Sequence, residues 1–460
     1  MQVWSRTASG EGRVNLPLMI AVAFVAFFMT AFYVSYAHAA WFFQDDFGFL
    51  ERYAAVVKLP EMWRFTNFGR FITRNVYWHY GQQLFALDAL YFYLFNLFCI
   101  GVTSVLAGLI VTRGHDRFAG VVAGLFYYAL PATAASYVWL SNSQHLIGHL
   151  FVMLFVYLFI SHTPSADGRT RFGTVLALLV VLILGYMSNI FMCMAVSLPV
   201  WMLATDAKHR RDWRNYVVPL VGIALFVVFF LKLKAQQSDV YATSYKLSVL
   251  WENAAYYFYG NASRVVWVIV VVAGAANSWA KGRLLTAWLF LASFAFFLPF
   301  AFLVHQHYTQ YGELAQLFFL MAVLCALHEL LPARGVNLAR WIGVAALLFI
   351  FGAAFREPIA YFSREPYGAT VRADVEALRN YDRAHPQVSV YCFRPSQATV
   401  NTSGVKTWDI PGEWWFSGFG TAYTVFVNHN KIFRLASGPE APACDVTLVL
   451  ENGHVQIPAN

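Results

Sequence analysis

The sequence predicts an all-α polytopic membrane protein of about eleven transmembrane helices, followed after residue 355 by a small, mainly β domain. Three observations predict it. The 460-residue chain is 59% hydrophobic and only 12% charged, whereas soluble domains carry about a quarter charged residues. Apolar runs near the length a helix needs to cross a bilayer, about 20 residues, recur between residues 15 and 355. Lys and Arg gather on alternate sides of those runs.

The runs lie near 15–38, 86–111, 118–135, 144–161, 172–187, 190–204, 216–233, 264–279, 285–304, 314–331 and 341–355. The first is too long for the core of a cleaved signal and reads as a retained anchor. Only Ser188-Asn189 separates the fifth from the sixth. With a cytoplasmic N-terminus, the short inner connections hold Arg113, Arg117, Arg169, Arg171, Lys208, Arg210, Arg211, Arg214, Lys281, Arg283, Arg334 and Arg340, and the short outer ones at 136–143, 188–189 and 305–313 hold none. That asymmetry is the positive-inside pattern, and it places the N-terminus in and the C-terminal tail out. The net charge of +8 is therefore a topology signal. No basic patch interleaved with aromatics points to nucleic acid.

From about 356 to 460 the composition changes. Val388-Ser389-Val390-Tyr391, Tyr423-Thr424-Val425-Phe426-Val427 and Val446-Thr447-Leu448-Val449-Leu450 alternate with a strand's period, and Asn428-His429-Asn430 reads as a hairpin turn. Cys99, Cys193 and Cys325 sit in apolar runs as small core residues. Cys392 and Cys444 fall in the tail. In an oxidising compartment they are expected to pair, two free thiols being the alternative.

Few full charges fall inside the runs, which argues against an ion-coupled transporter. Polar residues instead gather at four places on the outer side. The first contains the adjacent acids Asp45 and Asp46, then Phe49–Lys58, patterned like a helix lying in the interface, then Asn67–Asn75 with Arg70 and Arg74. An acid before a helix caps it, but one acid suffices; two adjacent carboxylates repel and favour a proton on one of them. Capping and function both stay open for the pair. The second place is Ser136–His145. The third has Lys232 and Lys234, then Arg264; snorkelling lysines are the plain reading there, and an anionic ligand the other. The fourth runs from His305 through His307 and Tyr308 to Glu313. Aromatics suit sugar faces and cations suit phosphate, so the four clusters point to one site at the outer boundary.

These features together resemble the GT-C superfamily of integral-membrane glycosyltransferases. The acidic pair in the first outer loop, Gly69-Arg70-Phe71 downstream of it, the run Leu84–Phe98, Pro131 followed by Val138-Trp139-Leu140-Ser141-Asn142-Ser143, and His305 to Tyr308 before a late span carry the resemblance. It covers about residues 15–330. Two departures stand out. Ser188-Asn189 occupies a position where many bacterial members have an acid or Lys-Glu, which counts against a metal-assisted mechanism, and Gly69-Arg70-Phe71 lacks a following Arg-Pro.

The resemblance implies a catalytic membrane domain over 1–355, an extracytoplasmic domain over 356–460, and a polyprenyl-phosphate sugar as donor. The sugar would pass to a hydroxyl of a glycan, glycolipid or protein, with inversion. Asp45 or Asp46, with Asp45 favoured, would be the general base. Arg70, Arg74, Lys232, Lys234, Arg264, His305, His307 and Tyr308 are the candidates for binding the donor phosphate and sugar. A divalent cation, magnesium or manganese, is the one cofactor left open. A bacterial inner membrane with the site facing the periplasm is the expected location. The alternatives are a flippase or exporter of lipid-linked sugars, and an O-acyltransferase using His145 or His149.

Overall fold

The computed structural model describes residues 15–43, 45–52, 69–161, 172–189, 213–235, 243–258, 261–304, 308–331, 336–364, 366 and 368–395, and the shorter stretches 400–401, 409–410, 422–428, 430–435, 443–451 and 454–457. Helices run in the order α1 Leu16–Ala39, α2 Asp45–Arg52, α3 Tyr77–Phe85, α4 Ala89–Thr112, α5 Arg117–Ala129, α6 Pro131–Tyr137, α7 Ser143–Ser161 and α8 Phe172–Ser188. They continue as α9 Arg214–Ala235, α10 Leu247–Tyr257, α11 Asn261–Ala280, α12 Leu284–Phe297, α13 Glu313–Leu330, α14 Val336–Ala354, α15 Ala360–Arg364 and α16 Ala369–Ala384.

Six helical segments are long and apolar enough to cross a membrane: 16–39, 89–112, 140–161, 263–280, 309–330 and 336–354. The bent pair α5–α6 makes a seventh if counted as one span. The protein is thus a helical membrane protein. The expected run 190–204 lies outside the described residues. Two of the expected runs differ in shape for reasons written in proline. Residues 118–135 form two helices bent by 51°, because Pro131 lacks an N–H and Leu130, extended at ψ 134°, cannot stay helical before it. The run 285–304 is helical only to Phe297, two residues short of Pro299, and is one of three shorter apolar helices with 172–188 and 216–228.

α4 and α5 approach most closely. A Cβ on Gly108 would lie 2.7 Å from the Gly120 carbonyl oxygen, and one on Gly124 would lie 2.6 Å from that of Ser104. In a bilayer, where lipid is as apolar as leucine, such small-residue contact is what lets backbones pack.

Among its described residues the tail is mixed, not mainly β: a small sheet with helices packed on it. α16 lays Val371, Val375 and Leu378 into a core with Tyr391, Phe393 and Leu448. The sheet has the order β4–β1–β5–β6, where β1 is Val390–Pro395, β4 Ile432–Leu435, β5 Val446–Glu451 and β6 His454–Gln456. Val400–Asn401 and Asp409–Ile410, β2 and β3, pair separately. β1 runs parallel to both β4 and β5. The expected hairpin around Asn428-His429-Asn430 is therefore overturned. Residues 422–426 are helical, and parallel neighbours need a crossover, not a tight turn. Cys392 and Cys444 form a disulfide with Cα atoms 5.8 Å apart.

Candidate functional site

The chain leaves α1 at Ala40, whose N–H closes the helix on Tyr36 O. Trp41, Phe42 and Phe43 are all buried. Polar atoms from α4 and from the elbow between α6 and α7 hold this strip. The Tyr93 hydroxyl donates to Trp41 O at 3.2 Å and Val138 O at 3.1 Å, and the Trp139 indole N–H donates to Phe43 O at 3.3 Å.

The two acids that follow are treated differently. Asp46 is fully buried. Its Oδ2 accepts the Phe43 N–H at 2.9 Å while its own N–H donates to Phe43 O at 3.1 Å. This reciprocal pair ties the start of α2 back to Phe43. Its Oδ1 accepts the Ser141 hydroxyl at 2.5 Å. Burial pushes its pKa up to about 8; the Ser141 and Phe43 hydrogen bonds oppose the rise and neighbouring Asp45 adds to it. Asp45 is exposed and takes no hydrogen bond among the described residues. Crowding around its carboxyl raises its pKa, and the Arg74 guanidinium pulls it back down.

Arg74 sits on a π-helical turn, Phe71–Val76, with its guanidinium 5.3 Å from the centre of the Phe49 ring. Thr73 fastens that turn to the end of α8 by donating to Ser188 O at 2.7 Å. Arg70, at the start of the turn, is half-buried, and its charge bears on His145. The His145 ring lies 5.5 Å from Tyr311, which stacks on Phe300 at 4.5 Å and meets Tyr308 edge-on at 5.5 Å. Three of the four polar stretches thus converge: the first loop, the α6–α7 elbow and the start of α13.

The third stretch meets the fourth through α10, where Asn253 donates to Ala301 O and Leu303 O at 2.9 Å each and the Tyr245 ring lies 5.3 Å from Phe302, but its basic candidates are not brought to the acid pair among the described residues. Arg264 donates to Trp251 O at 2.8 Å and lies 4.4 Å from that indole's centre, so it packs α10 on α11. Lys232 and Lys234 lie in the last turn of α9, with side chains outside the described part, and His305 and His307 lie outside the described residues. Within the described residues, no group of three or more His, Cys, Asp and Glu side chains is arranged to hold a metal.

A second cluster joins residues that lie in separate polar stretches of the sequence. Glu313, at the first position of α13, is fully buried. It accepts the Thr133 hydroxyl at 2.9 Å and the Ser136 hydroxyl at 2.7 Å, and it lies 3.4 Å from His149 Nδ1, itself 3.2 Å from the Tyr127 hydroxyl. Ser141, His145 and His149 are spaced i, i+4, i+8. That spacing puts one polar stripe between buried Asp46 and buried Glu313, and it was the signal available in the sequence.

No protein-family model matches this chain, and no curated protein matches it.

Proposed function

We propose that this protein is a GT-C-like glycosyltransferase that moves a sugar from polyprenyl phosphate to an acceptor hydroxyl at the outer membrane face. The observation that carries the reading is the division of labour between adjacent acids. Asp46 is buried and has both oxygens bonded, whereas Asp45 is exposed, beside Arg74. A carboxylate that is reachable, and held by a neighbour that is not, suits a general base. In this reading Asp45 takes the proton of the acceptor hydroxyl as its oxygen attacks the anomeric carbon. The C–O bond to phosphate breaks, and the phosphate leaves on the opposite face of the sugar. Arg70, Arg74 and Tyr308 supply the positive charge and donors that the leaving phosphate requires.

The outer placement is supported by the tail. Its disulfide needs an oxidising compartment, and the tail packs at the bundle end that carries the acids. A bacterial inner membrane with the site toward the periplasm satisfies both.

Radiolabel transfer from a polyprenyl-phosphate sugar by the purified protein tests the reading. Wild type should transfer and Asp45→Asn should not, with donor binding retained. Equal turnover by both sinks it.

The Glu313–His149 pair favours one second reading, a flippase or exporter, because ionisable pairs inside a bundle line transport paths. Flipping of a fluorescent lipid-linked sugar in vesicles, lost in Glu313→Gln, would select it. An acyltransferase would need His145 or His149 accessible; both are buried, and His149 is engaged by Glu313 and Tyr127.

A further inference from the structure

The strip from Trp41 to Phe47 is held from two sides. The elbow at Val138–Ser141 holds its inner side. Among the described residues, the C-terminal domain covers the other with the Phe426 ring. Its ring centre lies 4.6 Å from Trp41, 5.7 Å from Phe42 and 6.2 Å from Phe47. It therefore touches residues on both sides of the acid pair.

Phe426 is itself fixed. It ends the short helix 422–426, and its carbonyl accepts two N–H groups of Arg379 on α16, at 2.8 and 2.5 Å. The Asp382 carboxylate, three residues further along α16, accepts the Tyr391 hydroxyl of β1 at 2.6 Å and the Asn428 amide at 3.1 Å. Helix, strand and the turn after Phe426 thus form one braced unit. A second contact of the tail is backbone on backbone: Gly368, at φ 78°, leaves no room for a Cβ, which would lie 2.3 Å from Phe42 O.

We infer that the C-terminal domain is a positioning element for the acid pair, acting through Phe426. Its service to the reaction rests on the transfer reading above; its hold on the strip does not. Phe426 bridges the strip before Asp45 and the ring after Asp46, so removing it frees the segment whose angle sets where the Asp45 carboxyl points. A misplacement near 1 Å costs a reaction about 100-fold.

The test is amide hydrogen exchange of full-length protein in detergent, read over residues 41–50, with sugar transfer measured in parallel. Phe426→Ala should speed exchange in that segment and lower kcat about 10- to 100-fold with the donor KM unchanged. Phe426→Tyr should restore both, and Val449→Ala, exposed on β5, should change neither. Should Phe426→Ala loosen the whole tail, Arg379→Gln supplies the same test, since it releases the Phe426 carbonyl and keeps the ring. Unchanged exchange over 41–50 in both variants overturns the inference even if sugar transfer is confirmed. Faster exchange in a protein that transfers no sugar leaves the positioning role standing and removes the glycosyltransferase reading instead.

Discussion

Asp46 at one end of the helical bundle and the carboxylates Asp116 and Glu329 at the other are held in opposite ways. At the end holding Thr112–Arg117, Arg283 and the end of α13, acids meet cations. Asp116 receives Arg340 at 3.2 Å, and Glu329 receives Arg283 at 3.4 Å together with the Thr286 hydroxyl at 2.6 Å. At the other end, Asp46 is buried with a hydroxyl and an amide but no ion pair among the described residues, and Asp45 faces solvent. A paired charge clamps helices together. A buried acid without a cation is costly to ionise, and such groups collect where chemistry is done.

The sharpest way to break this contrast is to neutralise each end. Asp45→Asn should lower sugar transfer by about 10²–10⁴, the worth of a general base, with an unchanged melting temperature. Asp116→Asn should do the reverse. It leaves Arg340 buried without its counter-charge and weakens the cap on Ala119 N–H. The loss should be about 3 kcal/mol of stability, read by thermal unfolding, while turnover of the folded fraction stays at the wild-type value. If Asp116→Asn stops transfer at full stability, that end is not a clamp.

Gly368→Ala should cost about 1–2 kcal/mol for a left-handed L-residue, plus the displacement of Phe42, whose carbonyl oxygen would lie 2.3 Å from the new Cβ. Its effect should appear as faster exchange around Phe42 and not at the Asp116–Arg340 end.

The finest test is pH. Burial holds Asp46 protonated up to about 8, so the folded protein keeps a proton that the unfolded chain releases above about 4. Stability is lost as pH rises between those values and levels off above about 8. His115, 3.8 Å from Glu329, behaves in the opposite sense. Burial first, then His328, push it down to about 4, with Asp116 opposing. It is neutral at pH 7, and stability is lost as pH falls from about 6.5 toward 4. Melting curves of Asp46→Asn should flatten the loss on raising pH, and those of His115→Gln the loss on lowering it. A wild-type slope in Asp46→Asn would mean that the acid is ionised in the fold, and the contrast between the ends would fail.

Much of this was written in local sequence. Apolar runs located the helices because a bilayer admits only segments that satisfy their own backbone hydrogen bonds. Cys392 and Cys444 were the two cysteines in the polar tail, and the acid pair stood out against its aromatic surroundings, whereas the breaks at Pro131 and Pro299 fell inside runs read as continuous. Strand-like alternation misled at Tyr423–Val427. There Ala422, Tyr423 and Phe426 share one face of a short helix.

Only the tertiary structure decided which acid is buried and what holds it. Asp46 meets Ser141 across 95 residues, and Glu313 meets Thr133 across 180. Helix formation is a property of neighbours along the chain, so the sequence carries it openly. Hydrogen bonds between distant side chains depend on how the helices are packed, and hydropathy says nothing of which face meets which. Arg264 looked as suited to phosphate as Arg74 did, until packing put it against Trp251. The same packing set Arg74 near Asp45.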